Sequence, residues 1–259
     1  MRVTVCQWPD EQRELPQAWD RLVAHVREQS SELVLLPEMP FSPWFPASPE
    51  FDPDVWSAAV AAHDHWETRF PELGPTAVLG TRPLDFGNER YNEGFVWEKE
   101  TGTRAAHAKA FLLDEEGVWE THWYRAATPE FTPVAVGHAS IGFLICTEMW
   151  TTEQARTYGL EGVHLLVMPR ITRASTHDLW LAAGRLAAEV AGTFALSSNR
   201  SGGGGKFGGR GWVISPDGEV LAVTSQLDEF VTVDVDLTLA ERVAALRRGH
   251  HAAPPLPRH

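Results

Sequence analysis

The chain has 259 residues, 43% of them apolar and 22% charged, which is enough apolar mass for one sizeable core. Its formal net charge of −13, from 22 Lys and Arg against 35 Asp and Glu, argues against non-specific attachment to nucleic acid or to an anionic membrane, since both reward positive charge. Two cysteines, Cys6 and Cys146, exclude a disulfide framework, and no apolar run approaches the ~18 residues of a membrane-spanning helix.

The segment Val3 to Gln7 reads directly as a strand, so no secretory leader is expected, and two reduced thiols point to a cytoplasmic protein. Gln17 to Gln29 has helical spacing, with Trp19, Leu22, Val23 and Val26 on one stripe. Leu33 to Leu36 is an apolar strand stopped by Pro37. Asp54 to Phe70 reads as a helix and Ala77 to Gly80 as a strand. Tyr91 to Glu98 and Thr103 to Leu113 flank a turn composition, Lys99-Glu100-Thr101-Gly102, and form a hairpin. Ile141 to Ile145 is a buried strand that carries Cys146 at its end. Thr151 to Leu160 is a short helix for which Thr151 offers a cap and Glu153 a first-turn acid.

Val163 to Met168 is the next strand, Thr176 to Ala191 a helix and Thr193 to Ser197 another strand. Ser201 to Gly211, with seven glycines, is a loop by composition, long enough to line or cover something. Trp212 to Ser215 and Val220 to Thr224 flank the turn Pro216-Asp217-Gly218-Glu219. Phe230 to Val235 is the last strand and Leu237 to Arg247 the last helix. Alternating strands and helices with interposed hairpins make an α/β protein with a mixed sheet and helices outside. No linker composition breaks the chain, so residues 1–249 form one domain, and 250–259, rich in Pro and His, form a tail.

Taken alone, Cys146 in an apolar run reads as core and Glu38 after Pro37 as a helix cap. Lys109 is stranger, because Ala108, Ala110 and Phe111 are poor company for a solvated lysine. No His set has metal-ligand spacing, and no cofactor motif appears. The glycine run lacks the strand, ordered glycines and helix of a phosphate-binding loop.

The order of these pieces resembles the nitrilase superfamily of carbon–nitrogen hydrolases. The resemblance runs through nearly the whole chain: the first strand ending in Gln7, Leu35-Leu36-Pro37-Glu38, Tyr91-Asn92 before Lys109, and Cys146 with an acid two places on. Ser198-Asn199-Arg200-Ser201-Gly202 and the Ser215-Pro216-Asp217-Gly218 turn complete it. It implies a four-layer α-β-β-α sandwich of the nitrilase type and a catalytic set of base, lysine, second glutamate and nucleophile. By position these are Glu38, Lys109, Glu120 and Cys146, with Glu115, Glu116 and Glu130 as rivals for the third place. The chain departs from the family pattern around the lysine (Ala108-Lys109-Ala110-Phe111), at Thr147, and at Arg185 to Val190, where a family motif is degraded.

Amide hydrolysis needs a nucleophile, proton delivery to a poor amine leaving group, and a home for charge on oxygen. The set implies that Glu38 takes and returns the thiol proton, Lys109 supplies a fixed cation expected to lower the thiol's pKa, and Glu120 orients Lys109 or the substrate. The backbone N–H of Thr147 is the candidate second oxyanion donor. Met39, Phe41, Trp44, Glu148, Trp150, Arg170, Ile171, Arg173, Asn199 and Phe207 are candidates either for the substrate pocket or for its structural support.

The resulting expectation is a thiol amidohydrolase acting on a small-molecule amide. The rivals are a nitrile hydrolase, an N-carbamoyl hydrolase (for which Met149 and Trp150 stand where arginines would be expected and Arg170 or Arg173 would substitute), and a non-catalytic binding module. The resemblance also implies a homodimer or larger homo-oligomer.

Overall fold

The computed structural model describes residues 1–251. In chain order the strands and helices are β1 (Arg2–Pro9), α1 (Leu15–Gln29), β2 (Leu33–Leu35), α2 (Pro53–Glu67), β3 (Ala77–Phe86), β4 (Glu89–Glu98) and β5 (Gly102–Ala108). There follow a small hairpin of β6 (Asp114–Glu115) and β7 (Val118–Trp119), α3 (Glu120–Trp123), β8 (Val134–Val136), β9 (Ala139–Phe143) and α4 (Thr152–Leu160). The rest are β10 (Leu165–Arg170), α5 (His177–Ala191), β11 (Phe194–Gly202), β12 (Phe207–Gly208), β13 (Trp212–Ile214), β14 (Val220–Val223), β15 (Phe230–Asp234) and α6 (Leu237–His251). The last helix therefore runs past the expected start of the tail, and residues 252–259 of that tail lie outside the described residues.

Strand alternation sorts the side chains into layers. Val3, Val5, Leu33, Leu35 and Leu79 face Ile141, Phe143, Leu165, Val167, Leu196 and Val213 in a single apolar slab. The residues between them point the other way. Val34, Leu36, Val78 and Cys6 pack under α1 with Trp8, Trp19 and Phe70. Leu166, Met168, Ala195 and Trp212 pack under α4 and α5 with Tyr158, Ala187 and Ala188. Helix, sheet, sheet and helix are thus stacked in four layers, an α-β-β-α sandwich with two buried interfaces flanking the central one.

The first sheet runs β5-β4-β3-β2-β1 and the second β11-β10-β9-β8, joined edge to edge where β1 pairs with β11. The joint is short. β1 pairs with β2 and β15 over its first residues, and only Gln7 to Pro9 pair with Asn199 to Ser201. β1, β2 and β3 are mutually parallel, as are β9, β10 and β11, so both sheets present the C-terminal ends of these strands. The β3–β4 hairpin turn, the β6–β7 hairpin, α3 and β8 are not marked by the sequence pattern.

Local chemistry explains the start of α2. Asp52 caps α2 by accepting from the N–H groups of Asp54 (2.8 Å) and Val55 (3.4 Å), and Pro53 opens the helix. The cap expected for α4 is absent, because the Thr151 hydroxyl donates backwards to the Glu148 carbonyl at 2.5 Å. Among the described residues no helix is long and apolar enough to cross a membrane.

Candidate active site

Glu38, Lys109 and Cys146 each lie just beyond a strand, at the same end of the two sheets. β2 ends at Leu35 and carries Glu38, β5 ends at Ala108 and carries Lys109, and β9 ends at Phe143 and carries Cys146. Glu38 and Lys109 therefore ride on the first sheet and Cys146 on the second. Contrary to the expectation that it closes the strand, Cys146 lies beyond the end of β9. It opens a 3-10 turn with φ of 48°, a left-handed conformation unusual for a side chain with a Cβ. Met39, beside Glu38, is also left-handed at 43°.

The Glu38 turn is held from several sides. Its N–H donates to the Arg170 carbonyl (3.3 Å), and the Met39 N–H donates to the Thr81 hydroxyl (2.9 Å). The buried Arg200 guanidinium donates to the carbonyls of Glu38 (3.2 Å), Ser42 (2.7 Å) and Met39, and to the Asp10 carboxylate (2.8 Å). A guanidinium with this many acceptors fixes the backbone that aims Glu38.

The four side chains converge. The Lys109 Nζ donates to Glu38 Oε1 at 2.9 Å and to Glu120 Oε1 at 2.5 Å, and all three residues are at most 1% exposed. Asn92 Nδ2 donates to Glu38 Oε1 at 2.8 Å. Glu120 also accepts from the Tyr124 hydroxyl (2.6 Å) and the Leu113 N–H (2.8 Å). The second Glu38 oxygen, Oε2, is buried with no protein hydrogen-bond partner among the described residues, and the Cys146 thiol is close enough to interact with this carboxylate. Cys146 keeps 5% exposure.

Burial pushes the Glu38 carboxyl up; Lys109 opposes the rise and Glu120 adds to it. Burial alone would lower the Lys109 ammonium, but Glu120 and Glu38 outweigh it and hold the charge well above the usual lysine range. The Cys146 thiol is raised, first by burial and then by Glu38, with Lys109 opposing. The expectation of a thiol depressed by Lys109 does not hold: lost hydration outweighs the cation and pushes the Cys146 thiol up. A raised thiol needs a neighbouring base to ionise readily, and the Glu38 carboxylate, with one oxygen free of protein partners, is adjacent.

The remaining candidates separate into support and surroundings. Glu148 is fully buried and accepts from the N–H groups of Ile145 and Ala110 and from His107, so it supports the turn. Asn199 donates to the Gly209 carbonyl and accepts from the Thr172 N–H, which is also support. Arg170 is spent inside the fold on Ser197, Thr172 and the Arg210 carbonyl, and burial lowers it to about 10. Phe41 belongs to the aromatic core, stacked on Trp66 at 5.2 Å. Trp150 lies on the surface against Trp180, and Arg173 is exposed. Met39, Trp44, Ile171 and Phe207 share one apolar cluster with Tyr124. Thr147 directly follows Cys146, and its hydroxyl donates to the Phe111 carbonyl at 3.0 Å.

The glycine run is largely exposed over its first half and becomes a packed crossing at Gly208 and Gly209. A Cβ at Gly209, where φ is 58°, would lie 2.2 Å from the Gln7 amide, and one at Gly208 would lie 2.6 Å from Ala174 Cα. Asn92 and Tyr124 are the contacts sequence reasoning did not assign to the site. Tyr124 stands four residues after Glu120, a spacing that puts both on one helical face and could have indicated it.

A family model described as carbon-nitrogen hydrolase matches residues 2–245. The chloroplastic omega-amidase of Arabidopsis thaliana is 26% identical over 247 residues, covering 90% of this chain and 66% of the plant protein, so the chain spans just under two thirds of that relative's length. A carbon-nitrogen hydrolase structure from Helicobacter pylori superposes with a TM-score of 0.85 at 19% identity, covering 98% of this chain and 95% of the other. A mutant amidase from Nesterenkonia sp., with the acetamide moiety of fluoroacetamide covalently added at the active site cysteine, superposes at 0.76 with 19% identity and 96% coverage of both chains.

Proposed function

Because the chain belongs to the carbon–nitrogen hydrolase family, we propose that it cleaves a small-molecule amide through a thioester on Cys146, releasing a carboxylic acid and an amine or ammonia. The observation that carries this reading is the buried contact set of Glu38, Lys109 and Glu120 beside Cys146, with one Glu38 oxygen free of protein partners.

Glu38 takes the Sγ proton as sulfur attacks the amide carbon. The oxyanion that forms faces the Lys109 ammonium and the Thr147 N–H. Collapse breaks the C–N bond, and Glu38 hands its proton to the departing nitrogen. Water then attacks the thioester while Glu38 takes one of its protons. Collapse releases the acid and returns the proton to sulfur. A carboxyl with a raised pKa suits this shuttle, since it must hold a proton and give it back within one turnover. Glu120 anchors Lys109. Two buried free thiols accord with a reducing, cytoplasmic setting.

A panel of amides, nitriles and carbamoyl compounds, with ammonia and carboxylic acid measured together, tests the reading. Amides are expected to turn over and to leave an acyl adduct on Cys146 detectable by mass spectrometry. Cys146→Ala is expected to abolish both. Turnover surviving in Cys146→Ala, or nitriles reacting in place of amides, would overturn the proposal.

A further inference from the structure

One buried carboxylate touches both halves of the site without belonging to the set of four. Glu148 Oε2 accepts from the Ile145 N–H at 2.8 Å, next to the nucleophile. Its Oε1 accepts from the Ala110 N–H at 2.7 Å, next to the lysine. The Cys146 turn follows β9 of the second sheet, and the Lys109 segment follows β5 of the first. The side chain of Glu148 therefore spans the two sheets at the point where their reactive groups must meet. His107 Nε2 donates to Oε2 at 2.9 Å, so that ring nitrogen carries a hydrogen. The ring is held 4.8 Å from Phe131, with Nδ1 3.3 Å from the Glu130 carbonyl.

Lys109 is already shared between Glu38 and Glu120, so the Glu148 charge is met by these three N–H donors. Such donors around an anion are the stronger class of hydrogen bond, and all three here are buried. An amide at this position can offer one carbonyl oxygen only, and so can serve one sheet while turning N–H groups against the donor of the other.

We propose that Glu148, held by His107, is a positioning residue that sets the Cys146 sulfur against Glu38 and Lys109 by tying the end of the first sheet's β5 to the end of the second sheet's β9. The inference rests on the thiol mechanism above.

Alkylation by iodoacetamide tests it without knowledge of the substrate, because Cys6 is fully buried and serves as an internal gauge of loosening. In the wild-type protein Cys146 is expected to react faster than Cys6. Equal rates would sink the thiol mechanism itself and are distinguishable from failure of this inference. Glu148→Gln is expected to slow Cys146 about tenfold or more while Cys6 stays protected. A wild-type rate in Glu148→Gln, or a parallel rise in Cys6 reactivity showing general loosening, would overturn the proposal.

If Glu148→Gln does not fold, His107→Phe keeps a ring on Phe131 and removes the donor. It is expected to slow Cys146 about threefold to tenfold, with His107→Gln, which can still donate, restoring most of the rate. No slowing in His107→Phe would overturn the role given to His107 and with it the proposal.

Discussion

At the scale of single residues, the site is a problem of charge under burial. Two carboxylates and a thiol share one ammonium, and neutral donors make up the difference. Asn92 serves Glu38 and the Tyr124 hydroxyl serves Glu120. Tyr124→Phe removes only the hydroxyl, leaving Glu120 with Lys109 and the Leu113 N–H. The expected result is a loss of about 1 to 2 kcal/mol in transition-state stabilisation, read as roughly a fivefold to thirtyfold fall in kcat with a retained fold. An unchanged kcat would show that Lys109 is placed without Tyr124. Glu38 and Cys146 stand out because each follows an apolar run, whereas Lys109 and Glu120 are legible only through an order of residues that resembles a known family. Neither Asn92 nor Tyr124 was assigned. A side chain that reaches the site by tertiary approach leaves no local pattern, and only the four-residue step from Glu120 to Tyr124 was available.

At the scale of elements, strands are legible where alternation or a full apolar run marks them, as in Val3 to Gln7 and in Val163 to Met168, which overlaps β10 from Leu165 on. They were read badly between Ala110 and Phe131, where β6, β7 and α3 are too short to carry a period. The end of β9 was misjudged for another reason. Leu144 and Ile145 are apolar and buried, yet the left-handed φ at Cys146 turns the chain there, and nothing in a cysteine announces that. β9 is itself held by a tight contact: a Cβ on Gly142 would lie 2.7 Å from the ring of Tyr158, which donates from its hydroxyl to the Phe143 carbonyl at 3.2 Å. Gly142→Ala must displace Tyr158 and is expected to cost about 1–3 kcal/mol in denaturant unfolding. Full wild-type stability would mean that α4 yields more readily than this packing implies.

At the scale of the whole molecule, the core carries an acid-sensitive element far simpler than the site. His63 is buried beneath Phe41, its Nδ1 donating to the Ala59 carbonyl at 2.8 Å. Burial, followed by nearby Arg200 and Arg82, lowers its pKa from 6.5 to about 3. The folded state thus prefers the neutral ring, while the unfolded chain takes up a proton below about pH 6.5. Stability from this group is complete above that value and is lost as pH falls towards about 3. His63→Phe is expected to unfold at a lower urea concentration near neutrality but to lose less stability than wild type across that window. Parallel curves for the two proteins would remove His63 as the cause.

The division of the reactive groups between two sheets reaches further than the reaction itself. The aliphatic slab that includes Val5, Leu35, Val167 and Leu196 separates the carrier of the base from the carrier of the sulfur, so its thickness acts as a ruler for bond formation. Selection on such a layer answers to two judges. On the thiol mechanism proposed above, a lost methylene there both costs packing energy and shifts the base relative to the sulfur, so residues that touch no substrate inherit the tolerances of those that do.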